Sequence, residues 1–183
     1  MQTLTRIYSE EIQSAFEGTI IDLETIGELK SDEEGCGRYR GITPVIFGFI
    51  HKDGLEIHCA TDEYSIPELR ETVRRLLPQL KRPFYAFNAM FESSVLSHFL
   101  GQSVRIDGEL NRERFEAKRY AVKSLGIPNY EDPFYDSGRA CMGAWLRGDI
   151  ENAVLHNRSC LLKERDILLR RGFREPDALR TQP

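Results

Sequence analysis

The run Gly18-Thr19-Ile20-Ile21-Asp22-Leu23-Glu24 constrains the fold more than any other stretch of the chain. Its start is apolar at successive positions, and successive strand residues point to opposite faces, so this strand is expected to be covered on both sides. Such a strand needs packed layers above and below it. A chain of 183 residues is long enough to supply them around one core.

The stretches that follow supply the remaining strands and helices. Pro44 to His51 (PVIFGFIH) reads as a second strand, Lys52-Asp53-Gly54 as a hairpin turn, and Leu55 to Ala60 as a third strand. Ser65-Ile66-Pro67-Glu68 has capping-box spacing with proline in the first turn, and Leu69, Val73, Leu76 and Leu77 continue it as a helix. Pro83 to Phe87 predicts a fourth strand. Met90, Phe91, Val95, Leu96, Phe99 and Leu100 predict an amphipathic helix. A fifth strand is expected at Val104 to Asp107 and a helix from Arg112 to Leu125. A proline-bearing loop spans Gly126 to Asp136, and two more helices cover about 138–146 and 150–171. The expected fold class is α/β, a mixed five-stranded sheet of hairpin strands followed by alternating strands and helices, flanked by helices. One domain is expected, with its core at about 18–171 and both termini peripheral.

Composition narrows the function classes. No apolar run reaches the roughly 18 residues that a membrane helix needs, so no membrane partner is expected. Met1 to Gln13 has neither a basic nor an apolar leader region, and the four cysteines lie far apart with no Cys-x-x-Cys pair. A cytoplasmic protein without a disulfide framework or zinc finger is expected. The net charge of −4 is uneven: residues 1–36 hold nine acids and two bases. Arg105 to Lys123 and Lys163 to Arg180 each hold six bases against four acids. Mixed charge of this kind serves equally as a solvated helix face or as a weak phosphate-tracking surface.

Three clusters carry chemistry. Asp22 and Glu24 are two apart on a strand and present two carboxylates to one face, an arrangement that repels itself unless a cation intervenes; hard oxygen ligands suit Mg²⁺ or Mn²⁺. Asn88-Ala89-Met90-Phe91-Glu92 opens a helix, with Glu92 in the first turn. There an anion is favoured by the helix dipole, and Asn88 is suited to the N-cap. His156, Cys160 and Glu164 are spaced by four on a long helix and share one face. Each cluster alone also has an ordinary structural explanation.

Taken in order, the clusters resemble the DEDD superfamily of 3′–5′ exonucleases, in the branch that uses histidine, within the ribonuclease H-like fold. Asp22-Leu23-Glu24-Thr25-Ile26-Gly27 is similar to the first exonuclease motif, Phe87 to Glu92 to the second, and His156-Asn157 with the following turn to the third. The resemblance implies a two-metal phosphodiesterase acting on 3′ ends of nucleic acid; single-stranded ends are expected because a narrow carboxylate site must admit one strand's terminus. Two Mg²⁺ or Mn²⁺ ions would be held by Asp22, Glu24 and Glu92, His156 would be the general base, and Thr25 and Asn88 would lie near the terminal nucleotide.

The chain departs from the pattern twice. The second-motif acid is usually aspartate and here is Glu92. The third motif expects an aspartate four or five positions after the histidine, where Cys160 and Leu161 stand. Glu164, one turn further, is the acid that would reach back as a metal ligand. Asp166 lies further round the helix, and Asp149 reads as an N-cap. These departures leave open a catalytically impaired module that binds nucleic acid or protein, and an unrelated α/β enzyme.

Overall fold

The strand read at Thr19 forms as β2 (Thr19–Gly27), inside a mixed open sheet. The computed structural model describes residues 5–177 other than Phe115; the end of the tail, 178–183, lies outside them. Ile20 and Ile21 point to opposite faces and both are fully buried, so the sheet is covered on both sides. β3 (Ile42–His51) and β4 (Gly54–Ala60) form the expected hairpin, with β3 antiparallel to β2. On its other side β2 pairs in parallel with β5 (Phe84–Ala86). α1 (Ile66–Leu76) precedes β5. α2 (Ala89–Leu100) makes the crossover that a parallel step requires, from β5 to β6 (Gly108–Glu109). α3 (Lys118–Ser124), α4 (Gly138–Leu146) and α5 (Ile150–Arg171) follow β6.

Among the described residues the sheet has six strands, not five. β1 (Thr5–Glu11) lies at its edge and pairs antiparallel with β4 along its whole length, so the N-terminal segment belongs to the sheet and is not peripheral. Its sequence hides it: Ile7 and Tyr8 are adjacent, not alternate, and Ile7 is largely exposed, so no period of two appears. The last strand falls later than Val104 to Asp107. Val104 and Ile106 are buried, but the parallel ladder is made by Gly108 and Glu109. A side chain at Gly108 would meet the Tyr85 and Phe173 rings at 2.7 Å. Helix α3 begins at Lys118 instead of Arg112; ahead of it Glu116 accepts from the Arg112 backbone at 2.6 Å and from Arg171. The capping box before α1 is Asp62 with Ser65, one turn ahead of the expected Ser65–Glu68 pair. Asp149 is the N-cap of α5, as the sequence predicts.

Helix α5 positions the site. Ala153, Leu161, Leu162 and Ile167 bury apolar surface, yet six of its thirteen buried residues are polar or charged: His156, Asn157, Ser159, Lys163, Glu164 and Asp166. Buried polar groups are costly unless partnered, so a helix that buries this many must face a polar interior. It approaches the sheet closely at Gly48, which pairs with Asp22 across the β2–β3 ladder. A Cβ at Gly48 would lie 2.0 Å from Asn157 Oδ1. Among the described residues, no helix is long and apolar enough to cross a membrane.

Candidate active site

The expected site residues converge at the carboxyl ends of β2 and β5, where the chain leaves β2 for the antiparallel hairpin and leaves β5 for a helix. Crevices at such divergence points are where open α/β sheets bind ligands. Asp22, Glu24, Thr25, Asn88, Glu92 and His156 all line one cleft of about 240 Å³. Glu164 lies beneath it, fully buried. The pairing of β2 with β3 slips between Glu24 and Thr25, a bulge that turns the strand where it enters the cleft. Asn88 sits at the N-cap of α2 without a side-chain cap bond; its carbonyl accepts from the Phe91 and Glu92 amides, so it fixes the turn through its backbone.

The electrostatics follow from crowding four carboxylates out of water. Burial, reinforced by Asp22, pushes Glu24 up to about 7, against the pull of His156 and Lys118. Burial likewise raises Glu92 and Glu164 well above the ordinary carboxyl range, with Asp22 adding to both. Glu92 Oε2 and Glu164 Oε2 are buried without a hydrogen-bond partner. Glu24, His156 and Cys160 bring ligand atoms within 4.8 Å of one another. Unpartnered buried oxygens beside a ligand group of this kind fit a bound cation.

His156 is fixed by a residue that the sequence did not single out. Its Nδ1 is 2.7 Å from Asp132 Oδ1, and its Nε2 faces Glu24 at 3.5 Å and Cys160 at 3.7 Å. Burial disfavours the imidazolium, but Cys160, the Asp132 hydrogen bond and Glu24 outweigh it and raise His156 to about 11. Asp132 also accepts from Lys163 Nζ at 2.8 Å and from the amides of Phe134 (2.9 Å) and Asp136 (2.8 Å). Burial would raise Asp132, but the His156 and Lys163 hydrogen bonds hold it below the usual carboxylate range. The loop carrying Asp132 has Tyr130, Glu131, Tyr135 and Asp136 at positive φ, a strained backbone that persists only where the surroundings over-determine it.

Two more groups complete the cleft. Asn157 donates to Asp22 Oδ2 at 2.8 Å. Lys118, from α3, reaches Asp22 Oδ1 at 2.9 Å and Glu164 Oε1 at 2.5 Å. Burial alone would lower Lys118, yet Asp22, Cys160 and Glu164 raise it well above an ordinary lysine. The Cys160 thiol is pushed up to about 11 by burial, so it is neutral near pH 7. Asp166 is turned away, bonded to Tyr130 and Arg165.

Four cations of the basic stretches are engaged: Lys118 turns into the cleft, Lys163 is fully buried on Asp132 and Asp136, and Arg171 and Arg174 pair with Glu116 and Glu109; Arg112, Arg119 and Lys123 are exposed. Comparison with protein-family models, with curated proteins and with solved structures gives no match in any of the three.

Proposed function

We propose that this cleft hydrolyses phosphodiester bonds at the 3′ end of a nucleic-acid strand, as a divalent-metal-dependent exonuclease on a ribonuclease H-like sheet. The observation that carries the reading is convergence: acids from β2, α2 and α5 meet beside an oriented imidazole. The strand order β4-β3-β2-β5-β6, antiparallel on one side of β2 and parallel on the other, also favours it.

Asp22, Glu24, Glu92 and Glu164 would hold Mg²⁺ or Mn²⁺, whose oxygen preference matches carboxylates. A bound ion polarises the phosphate and lowers the pKa of water at the site. His156 takes the proton of the attacking water through Nε2, because Asp132 holds the Nδ1 side. The Asp132 hydrogen bond fixes the ring so that Nε2, and not Nδ1, faces Glu24 in the cleft. Thr25 and Asn88, at the cleft wall, would border the terminal nucleotide.

A second reading, a module that binds without hydrolysis, is favoured by one feature: the Lys118 ammonium already neutralises Asp22 and Glu164. Incubation with end-labelled single-stranded DNA and RNA in Mn²⁺ separates the two. Stepwise shortening from the 3′ end, abolished by a chelator and by Asp22→Asn in a folded variant, is the expected result. Full activity in Asp22→Asn would refute the assignment, and oligonucleotide binding without cleavage would favour the second reading.

A further inference from the structure

We propose that the Lys118 ammonium stands in for one of the two divalent ions, so that the cleft binds a single ion beside Glu24, His156 and Asp22. The inference rests on the phosphodiesterase reading and changes its cation count.

Three observations point to it. The ammonium contacts acids from two elements, Asp22 Oδ1 on β2 at 2.9 Å and Glu164 Oε1 on α5 at 2.5 Å. Its side chain is 17% exposed, and Nζ lies 5.8 Å from the centre of the Phe87 ring, so it is held from three sides. It therefore lies between carboxylates that come from separate parts of the chain, as a bridging ion would.

Asp22 is already partnered on both oxygens: its Oδ1 accepts from Lys118 and its Oδ2 from Asn157. The ammonium therefore occupies one of the places where an ion on Asp22 would sit, and the remaining lone pairs can still face a cation. The carboxylate oxygens left over are those of Glu24, which lies within 4.8 Å of the His156 and Cys160 ligand atoms, and the unpartnered Glu92 Oε2 on the same cleft wall. They describe one further cation position.

Lysine is suited to the place because its ammonium is a compact point charge with three donors.

The test is isothermal titration of the full chain with Mn²⁺, with bound Mn²⁺ counted independently by electron paramagnetic resonance. Wild type is expected to bind one ion per chain, and Lys118→Met two. Circular dichroism in chelator checks folding, and Lys118→Gln serves as the second variant. Two ions in wild type would overturn the inference and leave the phosphodiesterase reading standing. One ion in both wild type and a folded variant would overturn it as well. No ion in wild type would overturn both. If neither variant folds, the wild-type count decides, one ion supporting the inference and two refuting it.

Discussion

Replacing Asp132 by asparagine should separate the orienting of His156 from the rest of the site. Asp132 is buried and accepts four hydrogen bonds: His156 Nδ1 and the Phe134 amide on Oδ1, Lys163 Nζ and the Asp136 amide on Oδ2. Asparagine keeps the shape but turns one acceptor oxygen into a donor, so two of these donors face an amide NH₂. Breaking a buried ion pair costs about 3–5 kcal/mol. Lys163 retains Asp136 Oδ1 at 2.7 Å, so the loss should fall near the low end, about 3 kcal/mol. At about 2–4 °C per kcal/mol for a chain of this size, the melting temperature should drop by roughly 6–12 °C. If the amide NH₂ faces His156, Nδ1 must accept, the ring proton moves to Nε2, and the base is lost. Hydrolysis should then fall by about 100-fold or more. Calorimetry reads the first effect and a pH–rate profile the second. Asp136→Asn is the control: it loosens Lys163 without touching His156, so activity should persist. A variant at 132 that melts within about 2 °C of wild type and keeps full activity would refute the account.

Two further perturbations follow from the same geometry. In chelator, stability should fall steadily from about pH 5 to pH 9. Folded Glu24 keeps its proton from 4.5 to about 7, and folded His156 from 6.5 to about 11, where the unfolded chain has lost them. Raised values of both kinds make the folded state bind more protons, so each contributes less stability as pH rises. Added Mn²⁺ should stabilise more at pH 8 than at pH 6, since it competes with those protons; melting curves in chelator that rise across this window would contradict the assignment. Gly48→Ala should cost about 1–3 kcal/mol by overpacking, because its Cβ would meet Asn157 Oδ1 at 2.0 Å and Leu161 Cδ1 at 2.9 Å. Through Asn157 it should also loosen Asp22 and weaken Mn²⁺ binding, and unchanged melting and titration would disprove that coupling.

What the sequence discloses here is what repeats locally. The apolar run of β2, the hairpin turn and the four-residue spacing of His156, Cys160 and Glu164 are periodic signals, and the elements at 138–146 and 150–171 form as read. Asp132 carries no such signal. It lies in a loop between Pro128 and Pro133, and its role arises from four left-handed residues and a helix 24 positions away. Lys118 and Lys163 are equally silent, because in a mixed-charge stretch an inward lysine reads like a solvated one. Only tertiary packing shows that each answers two acids.

The absence of an acid at Cys160 has a physical consequence. Cys160 stands where the resemblance calls for an acid, and as a neutral thiol it leaves the fourth carboxylate to Glu164, one helical turn away at about 5.4 Å along the axis. That carboxylate arrives beneath the cleft floor instead of on its wall, out of contact with solvent. A hydrated divalent ion must shed water to enter so enclosed a place, whereas a lysine tethered to α3 carries its charge there on an apolar stem. The enclosed carboxylate and Lys118 are therefore coupled through one ion pair between two elements. Restoring an acid by Cys160→Asp together with Lys118→Met should move the cation site outward and admit Mg²⁺ where the native chain presents an ammonium; unchanged Mg²⁺ affinity in a folded double variant would show that the two positions are independent.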